Sequence, residues 1–168
     1  NIELSFPKLI KSIKKILKIH KNDKGIIHCH SYKIVNHIKE NIKDKRLLTH
    51  DSKNRDKILK KHIKMKKATV LLSPSMEEGV NLKDNISRFQ IICKIPYPYL
   101  GDKLILARME KWSWWYSFET VKKLVQSIGR SIRSKTDYAK TYILDSCWEN
   151  FYFENKKNFP IGFDKHFK

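Results

Sequence analysis

Residues 126–133, QSIGRSIR, carry the strongest chemistry in this sequence. Read as a helix, the segment puts Gln126, Arg130 and Arg133 on one face, at steps of four and three. Val121, Leu124, Val125, Ile128 and Ile132 form the opposing apolar stripe. Such a helix buries one side and presents an amide and two guanidiniums from the other. Two fixed guanidiniums suit a phosphate group whose charge redistributes during reaction. Gly129 is costly inside a helix. Its presence points to a place where a side chain would block a ligand or a neighbouring backbone. The bland alternative is an amphipathic helix with two solvated arginines.

Other polar candidates follow apolar runs. Ser31 and Tyr32 come directly after residues 25–29, a short buried strand, and open a helix. Strand, serine, helix places polar groups at the edge of an α/β sheet. Ser31 and Tyr32 are therefore candidate contacts to a nucleic-acid backbone; a helix cap and a packed ring are the structural alternatives. Residues 73–84, SPSMEEGVNLKD, form a polar loop after another strand, beginning at Ser73. Gly79 allows close backbone approach or a positive φ. Glu78 would order a basic neighbour or water, and Asn81 would bond a ribose, a phosphate or an arginine. Glu77 and Glu78 read equally well as the favourable first turn of a short helix.

The three cysteines, Cys29, Cys93 and Cys147, are odd in number and far apart, unlike a disulfide framework. Cys29 and Cys93 read as buried free thiols. His28 and His30 share a strand face with Cys29 between them, but no second ligand pair lies at useful spacing, so a metal site is not expected. His37 reads as a helix-surface residue. Tyr97 and Tyr99, in the rigid loop 96–99, either stack on a base or pack on their own domain. The aromatic cluster at 112–118 reads as core or interdomain packing before it reads as a nucleic-acid platform.

These residues need elements to hold them. Strands are expected at 25–29, 46–49, 68–72, 89–94 and 138–144, alternating with helices. The helix at 6–20 has Pro7 in its first turn and lysines over its outer face. Ser52 is the expected cap of a helix at 55–63 that turns Ile58, Leu59 and Ile63 inward. A helix at 102–111 and a long one from about residue 117 follow, then a tail helix and an ordered strap. The result is an α/β domain, an open, mostly parallel sheet covered on both faces. Its 168 residues are expected to form one domain, excised from a longer protein since the chain opens on Asn1.

A formal charge of +19 predicts attraction to polyanions. No apolar run is long enough to span a membrane, and an intracellular setting without a membrane partner is expected. The chain has no GxxxxGK[ST] loop and no acidic magnesium motif, so a nucleotide would come from another domain.

The sequence resembles the second RecA-like motor domain of superfamily 2 helicases, in the branch related to XPD and DinG DNA helicases. Residues 25–32 match the strand and Ser-Tyr element at the start of that domain. Residues 73–84 are similar to its EG[VI]D loop, KIPYPYLGD at 94–102 to its characteristic loop, and ILDS at 143–146 to its final strand. Residues 126–139 match QxxGRxxR and its trailing aspartate, Asp137. The resemblance implies that Arg130 and Arg133 act as arginine fingers toward ATP bound with Mg2+ by a first RecA-like lobe. It implies that Gln126 positions the nucleotide or the attacking water, and that Gly79 and Asn81, with Glu78 and Gly129 nearby, couple the ATP cleft to the DNA path. Ser31, Tyr32 and Ser73 would contact single-stranded DNA or support the loop that does. Two departures matter: Asn81 replaces the usual aspartate and drops a charge, and Cys147 replaces a frequent arginine. No iron–sulfur cluster is expected, since three cysteines cannot build a four-cysteine cluster. The competing readings are an RNA helicase lobe, a non-enzymatic basic nucleic-acid-binding module and a structural interaction domain.

Overall fold

The computed structural model of the chain describes residues 2–74, 82–132 and 137–163. β1 (Gly25–His28), β3 (Val70–Ser73) and β4 (Phe89–Ile92) are buried at every position. Near-continuous apolar runs of this kind belong to central parallel strands covered on both faces. β2 (Leu47–Thr49) is half-buried, and β5 (Lys140–Ile143) is half-buried except for its exposed first residue; they take the two edges. The order is β2-β3-β1-β4-β5, and every pairing is parallel. Ile27 sits in register between Leu72 and Ile91. From β1 the chain crosses to the edge strand β2, steps back to lay β3 between β2 and β1, then crosses β1 to build β4 and β5 on the other side. The switch in winding direction therefore falls between β1 and β4.

Alternate strand residues serve opposite faces. On one face Ile27, Leu72 and Ile91 pack with α1 (Ile2–Ile19) and α2 (Tyr32–Asn41). On the other, Ile26 and Leu71 meet Ile58 and Leu59 of α3 (Arg55–Lys64). Ile92 and Ile143 on that same face meet α5 (Trp115–Ile128) and α6 (Trp148–Asn155). α4 (Lys103–Lys111) precedes α5 and is capped by Asp102, whose carboxylate accepts the Leu104 N–H at 2.8 Å. Gly25 is needed in β1 because the ring of Phe89 occupies the space a side chain there would fill.

Several local expectations change. α1 begins at Ile2, so Pro7 lies beyond its first turn. α3 is entered from Asn54, not Ser52. Asp51 explains the shift: its carboxylate accepts the N–H groups of Lys53 and Asn54 at 2.8 and 2.9 Å, which fixes the turn one step further on. Ile63 is exposed, and His62 takes the inward place on α3. The His62 ring bonds the Thr69 hydroxyl at 2.7 Å and the Ile86 carbonyl at 2.8 Å. Burial lowers its pKa to about 4. His37 is half-buried and stacks on Phe6 with ring centroids 4.1 Å apart. In the aromatic cluster, Trp115 and Tyr116 are half-buried, whereas Trp112, Trp114 and Phe118 are exposed.

Candidate functional site

α5 runs antiparallel to the strands and ties the two ends of the sheet together. At its start, Tyr116 Oη donates to the Pro98 carbonyl at 3.1 Å, beyond the carboxyl end of β4. Past its finish, the hydroxyls of Ser131 and Ser87 meet at 2.7 Å, before the amino end of β4. Gln126, in the last turn of α5, and Arg130 thus lie toward the amino edge of the sheet. Ser31, Tyr32 and Ser73 lie at the carboxyl edge. The four-residue central strands separate the two edges by about 13 Å, at roughly 3.3 Å per residue. The sequence candidates therefore form two groups.

At the amino edge, α5 ends sooner than the QxxGRxxR spacing implies. Gly129 N–H makes the last i→i−4 bond, to Val125 O at 2.9 Å. Arg130 N–H and Ser131 N–H then reach back only three residues, to Ser127 O and Ile128 O at 3.2 and 3.4 Å. Gln126 and Arg130 consequently do not share one continuous helical face. Gln126 is exposed on α5, Arg130 is half-buried in the turn after it, and Arg133 lies outside the described residues. Ile132 leaves the apolar stripe and is exposed. Gly129 caps α5 with φ −64°, and the atoms nearest a side chain there would be carbonyls of its own last turn, not a neighbouring element.

Buried polar bonds explain the early ending. Ser131 is drawn inward by Ser87, and both are fully buried. Gln90, buried within β4, donates from Nε2 to Ile128 O at 3.0 Å and to Thr141 Oγ1 at 2.8 Å. Leu82 N–H donates to Arg130 O at 3.1 Å, so the segment after β3 is fastened to the arginine turn. Asp137 accepts the N–H groups of Asp84 and Tyr138 and pairs with Arg88 at 3.1 Å. The Arg88 guanidinium also lies over the Tyr138 ring, 4.3 Å from its centroid. Gln90, Ser87 and the anchoring role of Asp137 were missed in the sequence. A glutamine inside the apolar run FQIIC was the available signal, since a buried amide demands partners.

The carboxyl edge is built differently. His30 turns the chain after β1 with φ 50°, leaving the strand face it was expected to share with His28, although the two rings stay parallel with centroids 6.0 Å apart. Ser31 holds the cap position of α2 but makes no side-chain cap bond. Tyr32 is 55% exposed, so it is not a packed ring. Ser73 is buried, with its hydroxyl 3.1 Å from His50 Nε2, which fits support and not direct contact. Ser31 and Ile95 flank the point where the winding direction switches, the usual crevice of an open α/β sheet. There Asp145 joins β4 to β5: its carboxylate accepts Ile95 N–H at 2.8 Å and Cys147 N–H at 2.9 Å. Cys29 and Cys93 are buried free thiols at this edge, and burial raises the pKa of Cys29 well above the ordinary thiol value. Glu78, Gly79 and Asn81 lie outside the described residues.

Among the described residues, no group of three or more His, Cys, Asp or Glu side chains could hold a metal ion. Among them, too, no helix is long and apolar enough to cross a membrane.

The family profile described as the helicase C-terminal domain matches residues 13–159. The ATP-dependent DNA helicase CHL1 of Candida albicans is 26% identical over 168 aligned residues, covering 78% of this chain and 20% of that protein. The regulator of telomere elongation helicase 1 homolog of Drosophila ananassae is 31% identical over 88 residues, covering 45% of this chain and 9% of that protein. The chain thus spans a fifth or less of the length of these curated relatives. In fold it is similar to S. tokodaii Xpd4, with a TM-score of 0.68 at 19% identity, covering 94% of this chain and 34% of that one. With the parallel sheet and the arginine turn in place, the chain belongs to the helicase C-terminal domain family and has the RecA-like fold of such a lobe.

Proposed function

We propose that this lobe is the moving half of an ATP-dependent DNA helicase, with its two sheet edges given two tasks. The amino edge faces the phosphates of ATP held with Mg2+ by a first RecA-like lobe. Arg130, joined by Arg133, offers a rigid fork of N–H donors to a phosphate whose negative charge shifts as the terminal bond breaks. Gln126 orients the nucleotide or the water. ATP supplies the free energy when bound, and the residues here fit only its phosphate end, an arginine and an amide without a magnesium ligand set. The carboxyl edge, through Ser31 and the exposed Tyr32 with Ser73 in support, touches a single strand of DNA.

The observation that carries this reading is the Leu82 N–H bond to Arg130 O at 3.1 Å. Leu82 follows the segment that leaves the carboxyl end of β3, so chain leaving the strand-binding edge arrives on the arginine turn. A shift of Arg130 on nucleotide loss has a covalent and hydrogen-bonded route to the other edge. The DNA preference follows the names of the curated relatives. The test uses the complete protein. Arg130→Ala should lower DNA-stimulated ATP turnover by roughly 10³-fold. The 168-residue chain alone should show no DNA-stimulated hydrolysis. Near-normal turnover of the variant, or stimulation by RNA and not DNA, would count against the proposal.

A further inference from the structure

α1 turns a uniformly basic face to solvent. It carries Lys8, Lys11, Lys14, Lys15 and Lys18, Lys21 follows in the turn after its last residue, and no acidic residue lies between Ser5 and Asn22. All six are exposed. Spacings of three and four put the helical lysines in adjoining rows, Lys8–Lys11–Lys15–Lys18 and Lys14–Lys18, over about 15 Å of helix, with Lys21 just past its end. The opposite stripe, from Phe6 through Ile13 to Leu17, is buried in the core, so the ridge is held at a fixed height.

The rows border a depression of about 270 Å³ between the second half of α1 and the chain entering β2. Lys14, Lys18, Lys21, Asp44 and Arg46 are among its walls. A helix carboxyl end ordinarily repels an anion through its bare carbonyls. Here Arg46 covers them, donating to Leu17 O, His20 O and Lys21 O at 2.9, 2.7 and 3.0 Å. The same guanidinium pairs with Asp44 at 2.7 Å, and that hydrogen bond holds the Asp44 carboxyl below its usual pKa. The pair cancels, and the depression keeps the charge of three lysines.

We propose that the outer face of α1, with this depression, is a second nucleic-acid tract that seats a phosphodiester backbone without reading bases. Charge complementarity names the occupant: duplex DNA offers one negative charge per ~1.7 Å of axis, a repeating density that a row of lysines matches. An anionic bilayer fits less well, because apart from Ile19 the large apolar side chains from Phe6 onward on α1 are already buried and leave little to insert. The tract lies on the sheet face opposite α5 and needs neither Arg130 nor Tyr32. It shares with the motor reading only the ligand class.

The test is fluorescence anisotropy of the whole chain with labelled single-stranded and duplex DNA across a salt series. One variant carries Lys11→Gln, Lys14→Gln, Lys15→Gln and Lys18→Gln. A matched control carries Lys57→Gln, Lys60→Gln, Lys61→Gln and Lys64→Gln on the exposed face of α3. Glutamine keeps helix propensity, and circular dichroism checks the fold. The α1 variant should flatten the slope of log K against log salt by about 3 for single strands and weaken binding at least about tenfold at low salt. The control should change affinity by no more than about threefold. Equal losses in both variants, or an unchanged slope in the first, would overturn the proposal. So would a loss confined to phosphatidylserine vesicles with DNA binding intact, which would assign the ridge to membranes. Arg130→Ala should leave this binding untouched, so failure of the tract and failure of the motor reading are separately visible.

Discussion

At the amino edge of the sheet, Ser87, Gln90, Ser131 and Asp137 are buried, and each has a hydrogen-bonding partner on another segment or strand. At the carboxyl edge, Ser31 sits in a cap position without a cap bond, and Tyr32 stands out in solvent. The contrast fits the two proposed tasks. An arginine that meets charge developing on a phosphate gains from a backbone fixed in advance. A residue that grips a passing strand must also let it go, and over-anchoring would not help it. These amino-edge residues should therefore be costly to disturb, and the Ser31–Tyr32 corner of the carboxyl edge cheap.

The largest expected effect is at Asp137. Asp137→Ala leaves Arg88 without its buried partner and frees the N–H groups of Asp84 and Tyr138. It should cost about 3–5 kcal/mol in urea unfolding. Gln90→Leu strips the Ile128 carbonyl and Thr141 hydroxyl of their donor and should cost about 1–3 kcal/mol by the same measurement. A loss at Asp137 no larger than that at Tyr32 would erase the contrast.

His62 sharpens the same comparison through pH, since it joins Thr69 and Ile86 ahead of β3 and β4. Its folded pKa is about 4 against an ordinary 6.5. The unfolded chain therefore takes up a proton that the folded chain refuses between those values. The His62 contribution is complete above pH ~6.5 and is lost as pH falls toward 4. Stability should drop by about 2 kcal/mol from pH 7 to pH 5 on this account, and His62→Gln should flatten that dependence. The smallest effect belongs to Tyr32→Ala, which should change unfolding free energy by less than about 0.5 kcal/mol. Loss of a base-stacking ring should nonetheless weaken single-strand binding by about 1 kcal/mol or more.

Most of the sheet was readable because its strands are short apolar runs broken by turn residues. The runs 25–29 and 89–94 could hardly be anything else, and Ile34, Val35 and Ile38 fell inward on α2 as their spacing required. What the periodicity did not reveal were polar groups that act over distance. The stripe ending in Ile132 promised a helix through Arg133, but buried polar bonds made over distance accompany its end at Ile128, among them the Ser131–Ser87 pair, 44 residues apart in the chain. Ile63 and His62 exchange places for a similar reason: the histidine finds two partners inside, and the isoleucine merely loses contact. Ser31 and Tyr32 were legible as an edge because strand, serine and helix follow in order. Whether their side chains would cap and pack, or remain available, depended on backbone angles that residue type does not determine.

The central claim, that the arginine turn serves nucleotide and the opposite edge serves the strand, has one direct measurement. In the complete protein, ATP turnover and single-strand affinity are measured side by side for Arg130→Ala and Tyr32→Ala. The account expects Arg130→Ala to lower turnover by roughly 10³-fold at saturating DNA with strand affinity nearly unchanged, and Tyr32→Ala to weaken strand affinity while turnover at saturating DNA stays within about threefold. Near-normal turnover in Arg130→Ala, or a loss of strand affinity there equal to that in Tyr32→Ala, would contradict it.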